Sequence, residues 1–157
     1  MKKIAVFADV QNVYYTTRQV YGRQFNYHLF WKKLAEIGEV VYATAYAIRR
    51  HDNLQIKFQD ALRHIGFNVK LKPYIQRSDG SSKGDWDVGI VIDMLDIVTY
   101  VDIVVLLSGD GDFDLLIEKV SQGYGKKTFV FGVPSLTANS LVNSADYFIP
   151  IEEDMLL

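Results

Sequence analysis

Apolar runs of strand length alternate with amphipathic segments of helix length along most of the chain, and this alternation restricts the fold more than any other feature. The runs KIAVFAD (3–9), EVVYATAYAI (39–48), FNVKLKPY (67–74), DIVVLLS (102–108) and KTFVFGV (127–133) read as strands. Between them, NYHLFWKKLAEIG (26–38), DNLQIKFQDALRHIG (52–66), 86–100 and 112–123 read as helices, with Asp52 as a cap and Gly38 and Gly66 as stops. A short helix (135–145) and an extended piece, DYFIPI, follow. Alternation of this kind predicts an α/β fold with a mostly parallel sheet covered on both faces. No repeat or linker interrupts it, so 1–157 reads as one domain. The polar stretch IQRSDGSSKGD (75–85) is expected to be a long flexible loop, because its serines and glycines bury too little to offset chain entropy.

In an open parallel sheet the loops after the strands lie along one edge, and ligands bind there. That edge should hold Asp9, at the end of the first strand, and Asp110 and Asp112, in the SGDGDF turn after the strand ending at Ser108. Asp9 alone is equally well read as a helix cap or Asx-turn, with Asn12 one short turn further on. Ser108 or Asp112 could cap the next helix, and Asp114 suits a helix's first turn. The glycines permit a tight turn and close backbone approach. Asp87 is more informative. Stepping WDVGIVIDMLDIVTY at about 100° per residue places Ile90, Val91, Met94 and Val98 on its side, and Asp93 and Asp96 on the opposite, solvated side. A charge in the buried stripe is either satisfied by helix N-terminal amides or faces other carboxylates across the crevice.

Converging aspartates repel and do not all ionise cheaply without a cation. With no cysteine in the chain, and His28, His51 and His64 widely spaced, an all-oxygen site suits Mg²⁺ or Mn²⁺. His64 is expected to be packed. Around this acidic centre the same edge should carry Arg49, Arg50 and His51 after the second strand, and Arg77 and Lys83 in the 75–85 loop. Lys70 and Lys72 lie on the third strand, and Tyr14, Tyr15 and Tyr74 are available to stack on bases. A metal on the scissile phosphate with Arg and Lys on its neighbours fits a nuclease.

The net charge of −2 and pI of about 5.9 argue against a constitutive nucleic-acid coat, though carboxylates at a metal centre lower the count. The apolar stretch before Asp9 is too short for a signal sequence or a membrane span, so a cytoplasmic protein is expected. The apolar end, Met155-Leu156-Leu157, either lies on the surface or docks against a partner.

FADVQNVY (7–14), KGDWDVGIVIDML (83–95), SGDGDFDLLI (108–117) and LVNSADYFIPI (141–151) resemble, in order, the signature segments of NYN-domain proteins of the LabA-like group in the PIN-like nuclease superfamily. The resemblance spans nearly the whole chain. It implies a Rossmann-like three-layer α/β/α sandwich (PIN-like) and Mg²⁺- or Mn²⁺-dependent cleavage of RNA. On it, Asp9, Asn12, Asp87 and Asp110 match the acidic site, with Asp112 close by and Asp9, Asp87 and Asp110 as metal ligands. Lys83 and Asp93 also fall at motif positions, Asp93 in a secondary role. Arg49, Arg50, Arg77, Lys83 and Ser108 are the expected substrate contacts, and single-stranded RNA the expected partner. A homodimer stays open, and no membrane is expected. A non-catalytic RNA-binding module is the first alternative. A phosphatase is a weaker one: haloacid-dehalogenase-type enzymes need an aspartate where Gln11 stands, and neither a dinucleotide glycine motif nor a Walker lysine is present.

Overall fold

The computed structural model describes residues 1–49, 52–73, 75–76, 82–83 and 85–157. Among the described residues eight strands form in chain order: β1 (Lys3–Asp9), β2 (Glu39–Arg49), β3 (Asn68–Pro73), β4 (Ile75–Gln76), β5 (Ser82–Lys83), β6 (Ile103–Leu107), β7 (Lys127–Gly132) and β8 (Tyr147–Pro150). Six of them build one sheet in the order β3-β2-β1-β6-β7-β8. Every pairing within it is parallel.

The period-two geometry of a strand divides each central strand between two layers. Ile4, Val6 and Ala8 of β1 and Ile103, Val105 and Leu107 of β6 face one layer. There they meet α1 (Val10–Tyr21), α2 (Tyr27–Ile37) and α3 (Asn53–Ile65). Ala5, Phe7, Val104 and Leu106 face the other, under α4 (Asp87–Ile97), α5 (Asp114–Glu118) and α6 (Asn139–Ser144). Because β1 and β6 are buried on both faces, they read as continuous apolar runs. The result is a Rossmann-like three-layer α/β/α fold.

Several expectations need correction. The periodicity assigns no helix to 10–21, where only Asp9 as a possible cap hints at one, yet α1 fills that span. Its buried positions are Val10, Val13, Thr16 and Thr17, half of them hydroxylic, so no apolar stripe announces it. The threonines are tolerated because Thr17 Oγ1 donates to the Val13 carbonyl at 2.8 Å and Thr16 Oγ1 to that of Asn12 at 2.8 Å. The helix expected over 112–123 is a composite. It starts as a 3₁₀ turn (Gly111–Phe113), continues as α5 and ends in a π turn (Lys119–Gly123). The stretch 75–85 is not wholly a loop: β4 and β5 pair antiparallel, and its remaining expected flexibility lies outside the described residues. His64 is exposed on α3 rather than packed.

Met155 and Leu156 dock against their own chain. Both are buried with α2's Tyr27 and Phe30, and Leu156 bridges Phe25. At the β8 edge of the sheet Asp146 ties β7 to the turn before β8, accepting from Thr128 N at 2.9 Å and Ser121 Oγ at 3.1 Å. That gives the LVNSADYF segment a structural role.

Thr44, fully buried on β2, leaves its Oγ1 without a hydrogen-bond partner among the described residues. A buried unpaired hydroxyl costs free energy that a methyl of the same shape does not. Thr44→Val is therefore expected to raise stability by about 1 kcal/mol, read as a higher urea midpoint at unchanged slope.

Candidate metal centre

β1 has β2 on one side and β6 on the other, so the strand order reverses between β1 and β6. The crevice beyond their carboxyl ends is the topological switch point of the sheet. Asp9 closes β1, and Asp110 follows β6 by a short turn. The alternation that sends Ala5 and Phe7 toward α4 sends Asp9 the same way, since it is two residues beyond Phe7. Asp87 opens α4. Three carboxylates distant in sequence thus meet: one oxygen each from Asp9, Asp87 and Asp110 lies within 4.8 Å of the others.

Asp9 is 9% exposed. Its Oδ2 accepts from Ser108 Oγ at 3.1 Å, and its Oδ1 caps α1 by accepting from Asn12 N at 3.4 Å. The cap and the convergence with other carboxylates, alternatives in the sequence, are both realised. Asn12 Oδ1 accepts from Gly109 N at 2.9 Å and so ties α1 to the turn after β6. Within that turn Asp110 N donates to Ser108 Oγ at 3.2 Å, and Asp110 Oδ1 accepts from Asp112 N at 2.9 Å. Asp110, rather than Ser108 or Asp112, is therefore the residue that caps the following turn. The glycines have a steric reason. A Cβ on Gly109 would lie 2.8 Å from the Leu136 carbonyl, and one on Gly111 2.8 Å from Ala138 Cβ.

The electrostatics match the geometry. Burial, above all, pushes the Asp9 carboxyl up to about 6, against the hydrogen bonds from Asn12 and Ser108, with the charges of Asp110 and Asp85 adding. Burial also pushes Asp87 up to about 7, reinforced by Asp110, Asp85 and Asp9. Asp9 and Asp87 both resist ionising in this setting. Three mutually repelling oxygen donors with no sulfur ligand make a donor set suited to a hard divalent cation such as Mg²⁺ or Mn²⁺.

The remaining expected residues fall less centrally. Asp112 is exposed and outside the triad. Ser108, expected to touch substrate, is 1% exposed and sits behind Asp9 and Asp110, where it orients them. Asp93, expected to be solvated, is held instead: its Oδ2 accepts from the buried Tyr46 hydroxyl at 2.8 Å and from Lys70 Nζ at 2.7 Å. Lys70 is thereby engaged in that ion pair. The hydrogen bond it donates to Asp93 raises the Lys70 amine above its usual range. Lys72 is closer to the site, donating to the Asp85 carbonyl at 3.2 Å. Arg49 is exposed at the end of β2, on the expected edge. Arg50, His51, Tyr74, Arg77 and the Lys83 side chain lie outside the described residues.

Sequence reasoning missed Asp85. Its charge raises both Asp9 and Asp87, and its Oδ1 accepts from Asp87 N at 3.3 Å. Its place two residues before Asp87 in GDWD was the available signal.

Comparison with known proteins agrees with this architecture. The NYN domain profile matches residues 3–152. The chain is 30% identical to the low amplitude and bright protein LabA of Synechococcus elongatus over 96% of this chain and 84% of that protein. It is 29% identical to an uncharacterized protein of Methanocaldococcus jannaschii over 79% of this chain, spanning 47% of that longer protein. A crystal structure of a protein of unknown function from Vibrio parahaemolyticus superposes with a TM-score of 0.94 at 54% identity, covering 99% of this chain and 96% of that one. The chain belongs to the NYN domain family, as a LabA-like member with a PIN-like fold.

Proposed function

We propose that this protein is a divalent-metal-dependent ribonuclease whose centre is Asp9, Asp87 and Asp110. The observation that carries the reading is the convergence of three carboxylates at the switch point of the sheet, with Asp9 and Asp87 both shifted upward by burial and by the charges of Asp110 and Asp85. Mg²⁺ or Mn²⁺ held there would neutralise this repulsion, activate water and stabilise charge on a phosphodiester.

The chain's own residues supply the rest. Ser108 and the Asn12 amide hold Asp9 in place. Asn12 Oδ1 fixes the backbone that delivers Asp110. Asp112, exposed beside Asp110, is placed to contact solvent or substrate at the lip of the crevice. Arg49 at the edge would engage a phosphate neighbouring the scissile one, in company with Arg50, Arg77 and Lys83. A crevice lined by side chains of this kind suits single-stranded RNA. Among the described residues no helix is long and apolar enough to cross a membrane.

The test is cleavage of end-labelled single-stranded RNA by homogeneous protein with Mn²⁺, abolished by EDTA and by Asp110→Asn. Tight RNA binding with no cleavage under any divalent cation would assign the chain to a silent RNA-binding module instead. The basic rim carries its own expectation. Arg49→Ala should weaken RNA binding and lower the slope of log K against log salt by about one, with the fold intact by circular dichroism. An unchanged slope would make Arg49 ordinary surface.

A further inference from the structure

A carboxylate at the start of α4 that meets two others repels them once ionised, so an independent anchor at the start of the helix would hold it in place. The N-cap residue of α4 is Trp86, between Asp85 and Asp87; its side chain does not cap the helix, and Asp85 Oδ1 accepts from the Asp87 amide at 3.3 Å. The Trp86 carbonyl accepts from Ile90 N at 2.8 Å and opens the helix. Its indole is gripped by two neighbouring strands. Nε1 donates to the Ala47 carbonyl of β2 at 2.8 Å, and the ring lies 5.4 Å from that of Tyr46 on the same strand. From β3, Lys72 Nζ stands 4.5 Å from the ring centroid and also donates to the Asp85 carbonyl. The fourth part is the absence of a side chain at Gly89, where a Cβ would lie 2.6 Å from Trp86 Cε3.

The arrangement has a direction. Each of these indole contacts runs from α4's first residues to the strands beneath or to the helix itself, and none runs to the carboxylates. Asp93 pins the same helix about two turns further along, through Tyr46 and Lys70. That second pin fixes α4's rotation; Trp86 fixes the end that carries Asp87.

We propose that Trp86, seated by Ala47, Lys72 and the space at Gly89, is a positioning residue that holds Asp87 against Asp9 and Asp110 and thereby sets the affinity of the centre for a divalent cation. The proposal rests on the metal-centre reading. Groups that orient metal ligands from behind alter metal affinity about 10- to 100-fold when removed. The seat is of that kind, acting through backbone position.

The test compares wild type with Gly89→Ala, Trp86→Phe and Trp86→Leu by three measurements. These are Mn²⁺ affinity from water-proton relaxation, the urea midpoint in EDTA, and NMR hydrogen exchange of the Trp86 indole N–H and Ile90 amide in metal-free protein. Gly89→Ala should weaken Mn²⁺ binding at least about tenfold and accelerate exchange at both protons. Its urea midpoint should stay near wild type, since alanine favours a helix interior more than glycine does. Trp86→Phe, which keeps a ring and loses the donor, should fall between wild type and Trp86→Leu. Mn²⁺ affinity unchanged in Gly89→Ala and Trp86→Leu would overturn the proposal, as would an affinity loss that only tracks the urea midpoint. If wild type itself binds no Mn²⁺, the metal-centre reading fails and the exchange data alone judge the seat. An indole N–H in wild type as fast as a free indole would then remove it; a slow one released in Gly89→Ala would uphold it.

Discussion

Asp87→Asn should reduce Mn²⁺-dependent RNA cleavage by at least about 10³-fold, the several kcal/mol expected of metal-borne charge stabilisation. The same variant should leave the metal-free protein as stable as wild type, or slightly more so. Asparagine keeps the shape of the side chain and removes a charge that Asp110, Asp85 and Asp9 all oppose. Asp93→Asn is the matched control, on the same helix but about 240° around it. The amide oxygen introduced there still accepts from the Tyr46 hydroxyl, and the lost ion pair involves a Lys70 side chain that is 38% exposed. A cost of about 1 kcal/mol in stability and a small change in rate are therefore expected. Cleavage rates and urea midpoints of the two variants decide it. If Asp93→Asn kills cleavage while Asp87→Asn only unfolds the protein, the two roles must be exchanged.

What was legible in the sequence follows from how each feature is stabilised. β1 and β6 bury both faces and advertise themselves as apolar runs, so their positions and the edge they define were readable. The helical phase of 86–100 was also readable where burial sets it: Ile90, Met94 and Val98 are fully buried as the stripe implied. The same reasoning failed for Asp93, because a periodicity argument sorts residues into apolar and polar and has no place for a charge paired across to a neighbouring strand. Lys70 and Tyr46 lie 23 and 47 residues away, and no local pattern links them to Asp93. α1 was invisible for a related reason. Its buried face is closed by threonine hydroxyls bonding back to its own carbonyls, so it lacks an apolar stripe. Ser108 was expected to contact substrate; the geometry of the turn puts it, 1% exposed, behind the carboxylates of Asp9 and Asp110.

Metal-free protein should lose stability as pH rises from about 4 to about 7, and Mn²⁺ should flatten that decline. An unfolded aspartate releases its proton near the usual 3.8, whereas folded Asp9 holds it to about 6 and Asp87 to about 7. Below about pH 4 both groups are protonated in both states and impose no penalty. Between the unfolded and folded values the native state binds more protons than the unfolded one, so stability falls with rising pH. Above about 7 the penalty is complete. For buried Asp9 the difference corresponds to about 2–3 kcal/mol. The direction is opposite to that of a carboxylate held by a cationic partner, which makes the profile diagnostic. A divalent cation binding the ionised triad favours the folded state increasingly as the protons leave, and offsets the loss. The measurement is urea unfolding at fixed ionic strength across pH 4 to 8, in EDTA and then in millimolar Mn²⁺. Asp87→Asn should flatten the EDTA profile by itself, by removing one raised group. A wild-type stability that climbs across this window in EDTA, with no response to Mn²⁺, would mean that the three carboxylates do not share a desolvated site.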